Sequence, residues 1–247
     1  MIDTIGFDAD DTLWHNETLF NMSHEKFAAL LADYHSAEWI HKKMLDMEVR
    51  NLKYYGYGIK GFTLSMIETA IELTEGRIQG SGIRKILDFA RKMLTAPVEL
   101  LDHAADTIKT LSKSYSLMIV TKGDLFDQES KIARSGLSEY FKIIEIRTDK
   151  TAKTYKSILK KYGIVPGRFL MVGNSLKSDI FPVLDIGGYA VYIHYPITWE
   201  HEKVSEVELN YKKNPKYREL EHIGLLPQLV KELEDSAGQR VSGSVGQ

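Results

Sequence analysis

The sequence predicts an α/β protein, with a doubly wound, Rossmann-like parallel sheet that carries an inserted all-helical segment. Three observations predict this fold class. An apolar run at the N-terminus ends in a group of aspartates, residues 15–96 have helical periodicity without a strand pattern, and after Pro97 short apolar runs alternate with helices. Strands that alternate with helices of about ten residues are joined by right-handed crossovers, which produce a parallel sheet with helices on both faces.

Composition limits the partners and the kind of site. Of the 247 residues 43% are hydrophobic, which is enough for a sizeable core. The 32 Lys and Arg nearly balance the 34 Asp and Glu, so we expect no nucleic-acid or membrane partner. The absence of cysteine excludes disulfides and thiolate metal sites. We see no signal-like segment and no run near the roughly 20 apolar residues of a membrane span, so we expect a cytoplasmic protein. As a separate expectation, we predict a monomer or homodimer.

Residues 2–7 are predicted to form a buried strand, because a strand inside a parallel sheet is apolar along nearly its whole length. Ligands bind beyond the carboxyl ends of such strands, where Asp8, Asp10 and Asp11 follow. Like charges this close raise a pKa or recruit a cation, for which Mg2+ is the usual choice. We expect Asp8 and Asp10 to be chemically active and Asp11 only to shape the loop. Taken alone, the stretch is explained equally well as a polar turn.

Residues 15–96 are predicted to form a helical cap over the end of this strand, inserted into a core made of residues 1–14 and 97–235. Apolar residues recur there at helical spacing in four successive segments. Residues 54–61, between the second and third segments, are rich in glycine and tyrosine. We expect this turn to select the substrate, with Lys60 or a tyrosine touching it. An ordinary helix connection is the alternative.

Four further strands are predicted in the second half of the chain. They cover residues 116–120, 142–146, 169–172 and 189–193, with helices between them. Beyond His194 the periodicity weakens. There, residues 195–222 are predicted to wrap the core, residues 225–233 to form a last helix, and residues 236–247 to be a mobile tail.

Polar residues follow the second and third predicted strands. Thr121 and Lys122 come directly after the second strand, and we expect both to bind substrate, with the Thr121 hydroxyl donating to a phosphoryl oxygen. Alone, a threonine there is more often a turn or cap residue. Lys150 follows the third strand and could pair with both Asp8 and a phosphate. Lys153 is its rival.

Asn174 and Asp179 follow the fourth predicted strand, where they could supply oxygen ligands or orient a water on a metal. Each is also explained as an Asx turn or a helix cap. Together with Asp8 and Asp10 they form the expected Mg2+ ligand set. Carboxylates, hydroxyl, lysine and amide at four successive strand ends are a much more specific pattern than any one of them.

This ordered set resembles the haloacid dehalogenase superfamily, and the likeness covers residues 1–233. Residues 8–12 match its opening motif of Asp, any residue, Asp, any residue, Thr, and residues 116–121 match its second. Lys150 has the spacing of the third motif, for which Lys153 is too close to the fourth. Residues 173–179 resemble that fourth motif. The helical insertion is similar to the cap of the subgroup that carries it between the first two motifs.

The sequence departs from the family pattern at Asn174, where the phosphatases of the superfamily usually have an aspartate that helps to bind Mg2+. An amide oxygen can still bind magnesium but brings no charge. The dehalogenases of the superfamily tolerate asparagine here and work without a metal. Against that alternative stands Asp10, because a departing halide needs no proton and the dehalogenases generally have no acid at this position.

The resemblance implies a Mg2+-dependent phosphatase acting on a small phosphorylated metabolite through a phosphoaspartyl intermediate. Asp8 would attack phosphorus and Asp10 would protonate the leaving oxygen and then activate water, while Thr121 and Lys150 hold the phosphate. A metal-independent 2-haloacid dehalogenase is the alternative within the enzyme class. A phospho-accepting signalling module is the third hypothesis, although such modules are much shorter and lack a helical insertion.

Overall fold

The computed structural model describes residues 1–197 and 206–242, and it contains a parallel sheet with helices on both faces. Within these residues the sheet has six strands in the order β3-β2-β1-β4-β5-β6. The strands are β1 (Thr4–Phe7), β2 (Ser116–Lys122), β3 (Ile143–Arg147), β4 (Phe169–Gly173), β5 (Tyr189–Ile193) and β6 (Tyr217–Leu220). Every pairing is parallel. The α/β fold predicted from the sequence is confirmed.

Strand β1 lies at the centre of the sheet because its residues are buried on both faces. It pairs with β2 and β4, and the side chains of Ile5 and Phe7 are fully buried. The backbone N–H of Asp8 donates to the carbonyl oxygen of Val172 at 2.9 Å, which extends the pairing with β4 by one residue. The residues that follow β1 therefore lie at the middle of the carboxyl edge of the sheet, where such folds bind ligands.

Four helices follow β1, and we call them the inserted helices. They are α1 (Glu17–Leu30), α2 (Ala37–Tyr55), α3 (Ile59–Leu73) and α4 (Gly80–Thr95). Five more helices accompany the later strands: α5 (Ala104–Leu111), α6 (Leu125–Arg134), α7 (Ala152–Tyr162), α8 (Phe181–Asp185) and α9 (Leu226–Ser242). None of the helices in the described part of the chain is long and apolar enough to cross a membrane.

The inserted helices have a hydrophobic core of their own, separate from the cores on the two faces of the sheet. Phe27, Met44 and Met66 are fully buried within it. The sheet contributes Phe7 and Ile119 to one core and residues of β2 and β4 to the opposite one. Alternate side chains of a strand point to opposite faces, so each strand serves both cores. The predicted boundaries between core and cap stay a prediction.

Two predictions for the C-terminal part need correction. Residues 217–220 form strand β6, which the sequence prediction missed because an edge strand with Arg218 and Glu219 has no clean apolar alternation. Helix α9 continues to Ser242, past the predicted start of a tail at residue 236. The predicted wrapping segment is described only in part, since residues 198–205 lie outside the described residues, as do residues 243–247 of the predicted tail.

Candidate active site

A cavity of about 190 Å³ lies between the carboxyl edge of the sheet and the inserted helices. The predicted site residues that line it are Asp8, Asp10, Thr121, Lys122, Lys150, Asn174 and Asp179. Four separate stretches of sequence therefore meet at one place. Among the described lining residues Lys60 is absent. Its ammonium lies 3.0 Å from Asp124 Oδ1, and the side chain is 56% exposed.

Asp8 is buried, with 7% of the residue exposed, and its carboxylate is held from two sides. Oδ1 accepts a hydrogen bond from Lys150 Nζ at 2.6 Å. Oδ2 accepts a longer one from Thr12 Oγ1 at 3.4 Å. With Oδ1 engaged by the lysine, Oδ2 is the oxygen with less competition for an incoming electrophile. The nucleophilic role of Asp8 stays a prediction.

Lys150 lies between the carboxylates of Asp8 and Asp179. Its Nζ contacts Asp8, the carbonyl oxygen of Val120 at 3.2 Å, and a carboxylate oxygen of Asp179 in a short ion pair. Burial lowers the pKa of Lys150, but the carboxylates of Asp179 and Asp8 outweigh it and hold the pKa well above its usual value. Lys150 is therefore a cation, whereas Lys153 is exposed on α7.

Asp179 is fully buried, and both its carboxylate oxygens have partners. Oδ1 contacts Lys150, and Oδ2 accepts from the backbone N–H of Ser175 at 3.0 Å. A Cβ added at Gly173 would lie 2.2 Å from Asp179 Oδ2, so only glycine permits this packing. Burial raises the pKa of Asp179, although the ammonium of Lys150 opposes the shift. Direct metal binding by Asp179 stays a prediction, and its contacts here orient Lys150.

Asp10 is anchored by helix α6 and by a buried tryptophan. Lys131 Nζ lies 2.8 Å from both carboxylate oxygens, Trp14 Nε1 donates to Oδ1 at 2.7 Å, and Gln128 Nε2 donates to Oδ2 at 2.8 Å. Burial lowers the pKa of Lys131, but the carboxylates of Asp10 and Asp127 overcome it and leave the pKa raised. The sequence prediction missed Gln128 and Lys131. Their spacing of three, one turn apart on a helix that follows a strand end, is the only signal for them.

Asp11 has a structural role that agrees with the expectation from the sequence. It adopts a positive φ of 59°, and its Oδ1 accepts from the backbone N–H groups of Asn16 at 2.8 Å and Glu17 at 3.1 Å. A carboxylate in this position satisfies the free N–H groups at the start of helix α1. Burial, and then the charge of Asp10, raise the pKa of Asp11 to about 7.

The oxygens around Asn174 provide a test of whether a divalent cation fits. One terminal atom of its side-chain amide lies 3.2 Å from Asp8 Oδ2, 3.3 Å from the carbonyl oxygen of Asp10 and 3.2 Å from Thr12 Oγ1. When that atom is nitrogen, it donates to all three. When it is oxygen, four oxygens converge, which is the environment that Mg2+ prefers. The donor set therefore fits Mg2+.

This donor set differs from a cluster of acidic side chains. In the described part of the chain no three His, Cys, Asp or Glu residues are placed to hold a metal among themselves. A cation here would depend on one carboxylate, one amide oxygen and one backbone carbonyl oxygen. Such a set carries less negative charge than a Mg2+ site with two carboxylates, so the affinity for the ion should be lower.

The turn between α2 and α3 covers the end of strand β2. Thr121 is buried at that end, and its Oγ1 lies 3.4 Å from Gln128 Oε1. Lys122 Nζ donates to Ser178 Oγ at 2.7 Å and lies 4.4 Å from the centre of the Tyr57 ring. The glycine- and tyrosine-rich turn thus contacts the strand-end loops through Tyr57, as well as through the pair of Lys60 and Asp124.

The inserted helices add a polar wall to the cavity that the sequence prediction missed. It comprises Glu17, His24, Glu48 and Asn51, and Ser65 lies beside them. Glu48 is 9% exposed, and its Oε1 lies 3.1 Å from His24 Nε2. Burial, then Asp11, Glu48 and Asp10, raise the pKa of Glu17 to about 8. In sequence these residues are indistinguishable from the solvated faces of amphipathic helices.

The fold and this arrangement of carboxylates, lysine and amide at successive strand ends are those of a hydrolase built on a doubly wound sheet. The chain belongs to the haloacid dehalogenase-like hydrolase family, whose family model matches residues 2–182. The solved structure of a haloacid dehalogenase-like family hydrolase from Xanthomonas campestris is 39% identical, with a TM-score of 0.85. That similarity covers 97% of this chain and 94% of the other.

Two curated relatives are each named glyceraldehyde 3-phosphate phosphatase. The one from Pyrococcus furiosus is 31% identical over 141 residues, which cover 55% of each chain. The one from Methanothermobacter thermautotrophicus is 28% identical over 108 residues, which cover 40% of this chain and 48% of the relative. The alignments therefore span about half the length of these relatives.

Proposed function

We propose that this hydrolase is a phosphatase that cleaves a small phosphate monoester, with Mg2+ as cofactor and a phosphoaspartyl intermediate on Asp8. The observation that carries the proposal is the pair of differently held carboxylates, Asp8 on Lys150 and Asp10 on Lys131. In this proposal Asp8 is the nucleophile and Asp10 the proton carrier. Both curated relatives are named as phosphatases of a small phosphate monoester, which supports the same assignment. The proposed metabolite substrate favours a cytoplasmic location, and the sequence contains no cysteine that would point to a disulfide-stapled secreted protein.

In this mechanism Asp8 attacks phosphorus, while Lys150 binds its Oδ1 and fixes the direction of the carboxylate. Asp10 donates a proton to the leaving oxygen and takes one from the water that cleaves the acyl phosphate. Trp14 and Gln128 keep the Asp10 carboxyl in place for both steps. Phosphoryl transfer depends mainly on positioning and on neutralising charge.

The remaining residues of the strand ends hold the phosphate and the cofactor. Asp8, the carbonyl oxygen of Asp10 and Asn174 would hold Mg2+, which would neutralise charge on the transferred group. Thr121 and Lys122 bind its other oxygens from the end of β2. The inserted helices cover the side of the cavity opposite the strand ends and limit the access of water to the acyl phosphate.

The alternative of a metal-independent 2-haloacid dehalogenase is favoured by one observation, the uncharged amide of Asn174 among the oxygens of the site. Asp10 opposes it, because four hydrogen bonds hold a carboxyl that halide release does not need. A signalling module is opposed by the four inserted helices that wall off the Asp8 carboxylate from protein partners.

The deciding experiment measures product release from panels of phosphate monoesters and 2-haloacids, each with Mg2+ and with EDTA. We expect phosphate release with Mg2+ and its loss in EDTA. Halide release that persists in EDTA would replace the proposal by the dehalogenase alternative. A long-lived phosphorylated Asp8 without turnover, detected by mass spectrometry of the intact protein, would replace it by the signalling alternative.

A further inference from the structure

The polar wall of the cavity faces the strand ends and belongs to the inserted helices. Glu17 is at the start of α1, His24 is two turns further along it, and Glu48 and Asn51 lie on one side of α2. Asn51 is buried, and its Nδ2 donates to Ser65 Oγ at 3.2 Å. Because the phosphate lies at the strand ends, this wall is where the alcohol part of a phosphate monoester has to lie.

Glu48 is the residue that points to a ligand. It is more than nine-tenths buried, and its Oε1 forms no hydrogen bond within the described chain, although His24 Nε2 lies 3.1 Å from it. Burying a carboxylate oxygen without a hydrogen bond is unfavourable, so such groups usually have a functional reason. A hydroxyl group in the cavity would supply the missing donor.

The charges of the cavity are divided between its two sides. The lysines among its described lining residues come from the strand-end side. Lys150 pairs there with Asp8, Lys131 pairs with Asp10, and Lys122 contacts Ser178 and the Tyr57 ring. On the inserted helices the described lining residues include two carboxyl groups, of Glu17 and Glu48, and one imidazole, which already lies against Glu48. A second anionic group on the substrate would meet the Glu48 carboxylate there, and the described lining residues of the inserted helices include no lysine or arginine.

The same wall has an apolar part that suits a short carbon skeleton. Phe20 and Phe62 line it with ring centres 4.9 Å apart, and the His24 ring lies 5.1 Å from Phe62. Small-molecule sites combine apolar walls with a few placed polar groups that give specificity. The raised pKa of Glu17, about 8, keeps its carboxyl largely protonated at neutral pH, when it can donate a hydrogen bond.

We propose that Glu17, His24, Glu48 and Asn51 form the leaving-group subsite, which takes an uncharged, hydroxyl-bearing alcohol and rejects one with a second anionic group. The inference rests on the proposed phosphatase function, which it extends to the class of substrate. Repulsion between like charges is a common source of specificity, because it lowers the affinity for the substrate with the second anionic group and leaves the affinity for the uncharged alcohol unchanged.

The test compares kcat/KM for glycerol 3-phosphate and 3-phosphoglycerate, which differ mainly in a terminal hydroxymethyl group against a carboxylate. We expect the wild-type protein to prefer glycerol 3-phosphate by about tenfold or more. In a Glu17→Gln, Glu48→Gln double variant the preference should fall to about threefold or less, through a lower KM for 3-phosphoglycerate. Glu17→Gln alone, which replaces a carboxyl that is largely protonated at neutral pH, should keep most of the preference. Glu25→Gln, on the same helix but 74% exposed, is the matched control and should keep the wild-type ratio.

Three results would overturn the inference. A wild-type protein that uses both esters equally, or prefers the carboxylate, contradicts the proposed substrate class while leaving phosphatase activity intact. A full preference in both Gln variants contradicts the assignment to these residues. Failure to release phosphate from either ester and from 4-nitrophenyl phosphate contradicts the proposed function itself.

Discussion

The two halves of the cavity differ in how completely their charged groups are paired. In the strand-end half, Lys150 is bound to Asp8 and Asp179, and Lys131 to Asp10 and Asp127. In the helical half, formed by Glu17, His24, Glu48 and Asn51, the buried Oε1 of Glu48 lies 3.1 Å from His24 Nε2 but forms no hydrogen bond within the described residues. The strand-end half is therefore organised before a ligand arrives, as electrostatic catalysis requires. The helical half has hydrogen-bonding capacity left for a substrate.

The largest effect should come from removing the nucleophile. We expect Asp8→Asn to lower kcat by about 10⁴-fold or more, because an amide cannot form the proposed acyl-phosphate intermediate. Phosphate release measures the loss, and circular dichroism checks the fold. Asp3→Asn, on the exposed side of the opposite end of β1, is the control and should stay active. Substantial activity of Asp8→Asn would refute the nucleophile assignment.

Removing the central cation of the strand-end half should damage stability as well as activity. Lys150→Met leaves two buried carboxylates without their partner, and we expect the free energy of unfolding to fall by about 3–5 kcal/mol. Lys153→Met, on the exposed face of α7, should change it by less than about 0.5 kcal/mol. Urea unfolding of the two variants compares the candidate lysines directly. Equal losses would mean that Lys150 has no special role.

The metal site gives a third comparison. Asn174→Asp adds a charge to a set with one carboxylate side chain, so Mg2+ should bind about tenfold more tightly, since carboxylates are the stronger ligands of hard cations. Titration of phosphatase activity with Mg2+ measures the change, and Asn21→Asp, on the exposed face of α1, is a control. An unchanged titration would remove Asn174 from the ligand set.

In the helical half, the raised pKa of Glu17 should make the free energy of unfolding depend on pH. The pKa of Glu17 is raised from 4.5 to about 8, so between these values the folded protein binds the extra proton and stability decreases as the pH rises. The decrease from this group is at most about 1.4 kcal/mol per pH unit. Glu17→Gln should lose less stability than the wild-type protein between pH 5 and pH 8 in urea unfolding. Parallel curves would place Glu17 in an ordinary solvated environment.

The smallest effect is expected outside the cavity. Lys60→Met removes an exposed ion pair with Asp124, which should cost about 1 kcal/mol or less. Lys60 is not among the described residues that line the cavity, so we expect KM to change by less than about threefold. Such a result would count against the sequence-based prediction that Lys60 binds substrate. A large rise in KM with unchanged stability would restore that prediction.

Residues close in sequence and at strand ends were predictable. The parallel strands were recognisable, and their carboxyl ends must meet at one edge of the sheet. It could therefore be predicted that one cavity brings together Asp8, Thr121, Lys150 and Asn174. Strand β6 was missed because its residues alternate poorly, and α9 runs further than its apolar pattern indicated. Both errors lie at the edge of the fold, where weak burial leaves little pattern.

By itself, the sequence determined the fold class and the chemistry placed at each strand end, since periodicity and local order specify both. Only the tertiary structure decided which polar faces of helices turn inward. Lys131 on α6 pairs with Asp10, and Glu48 on α2 faces the cavity, because packing of whole helices sets their rotation. A polar residue on an amphipathic helix has the same sequence pattern whether it meets water or a substrate, so its role depends on what the fold places opposite it.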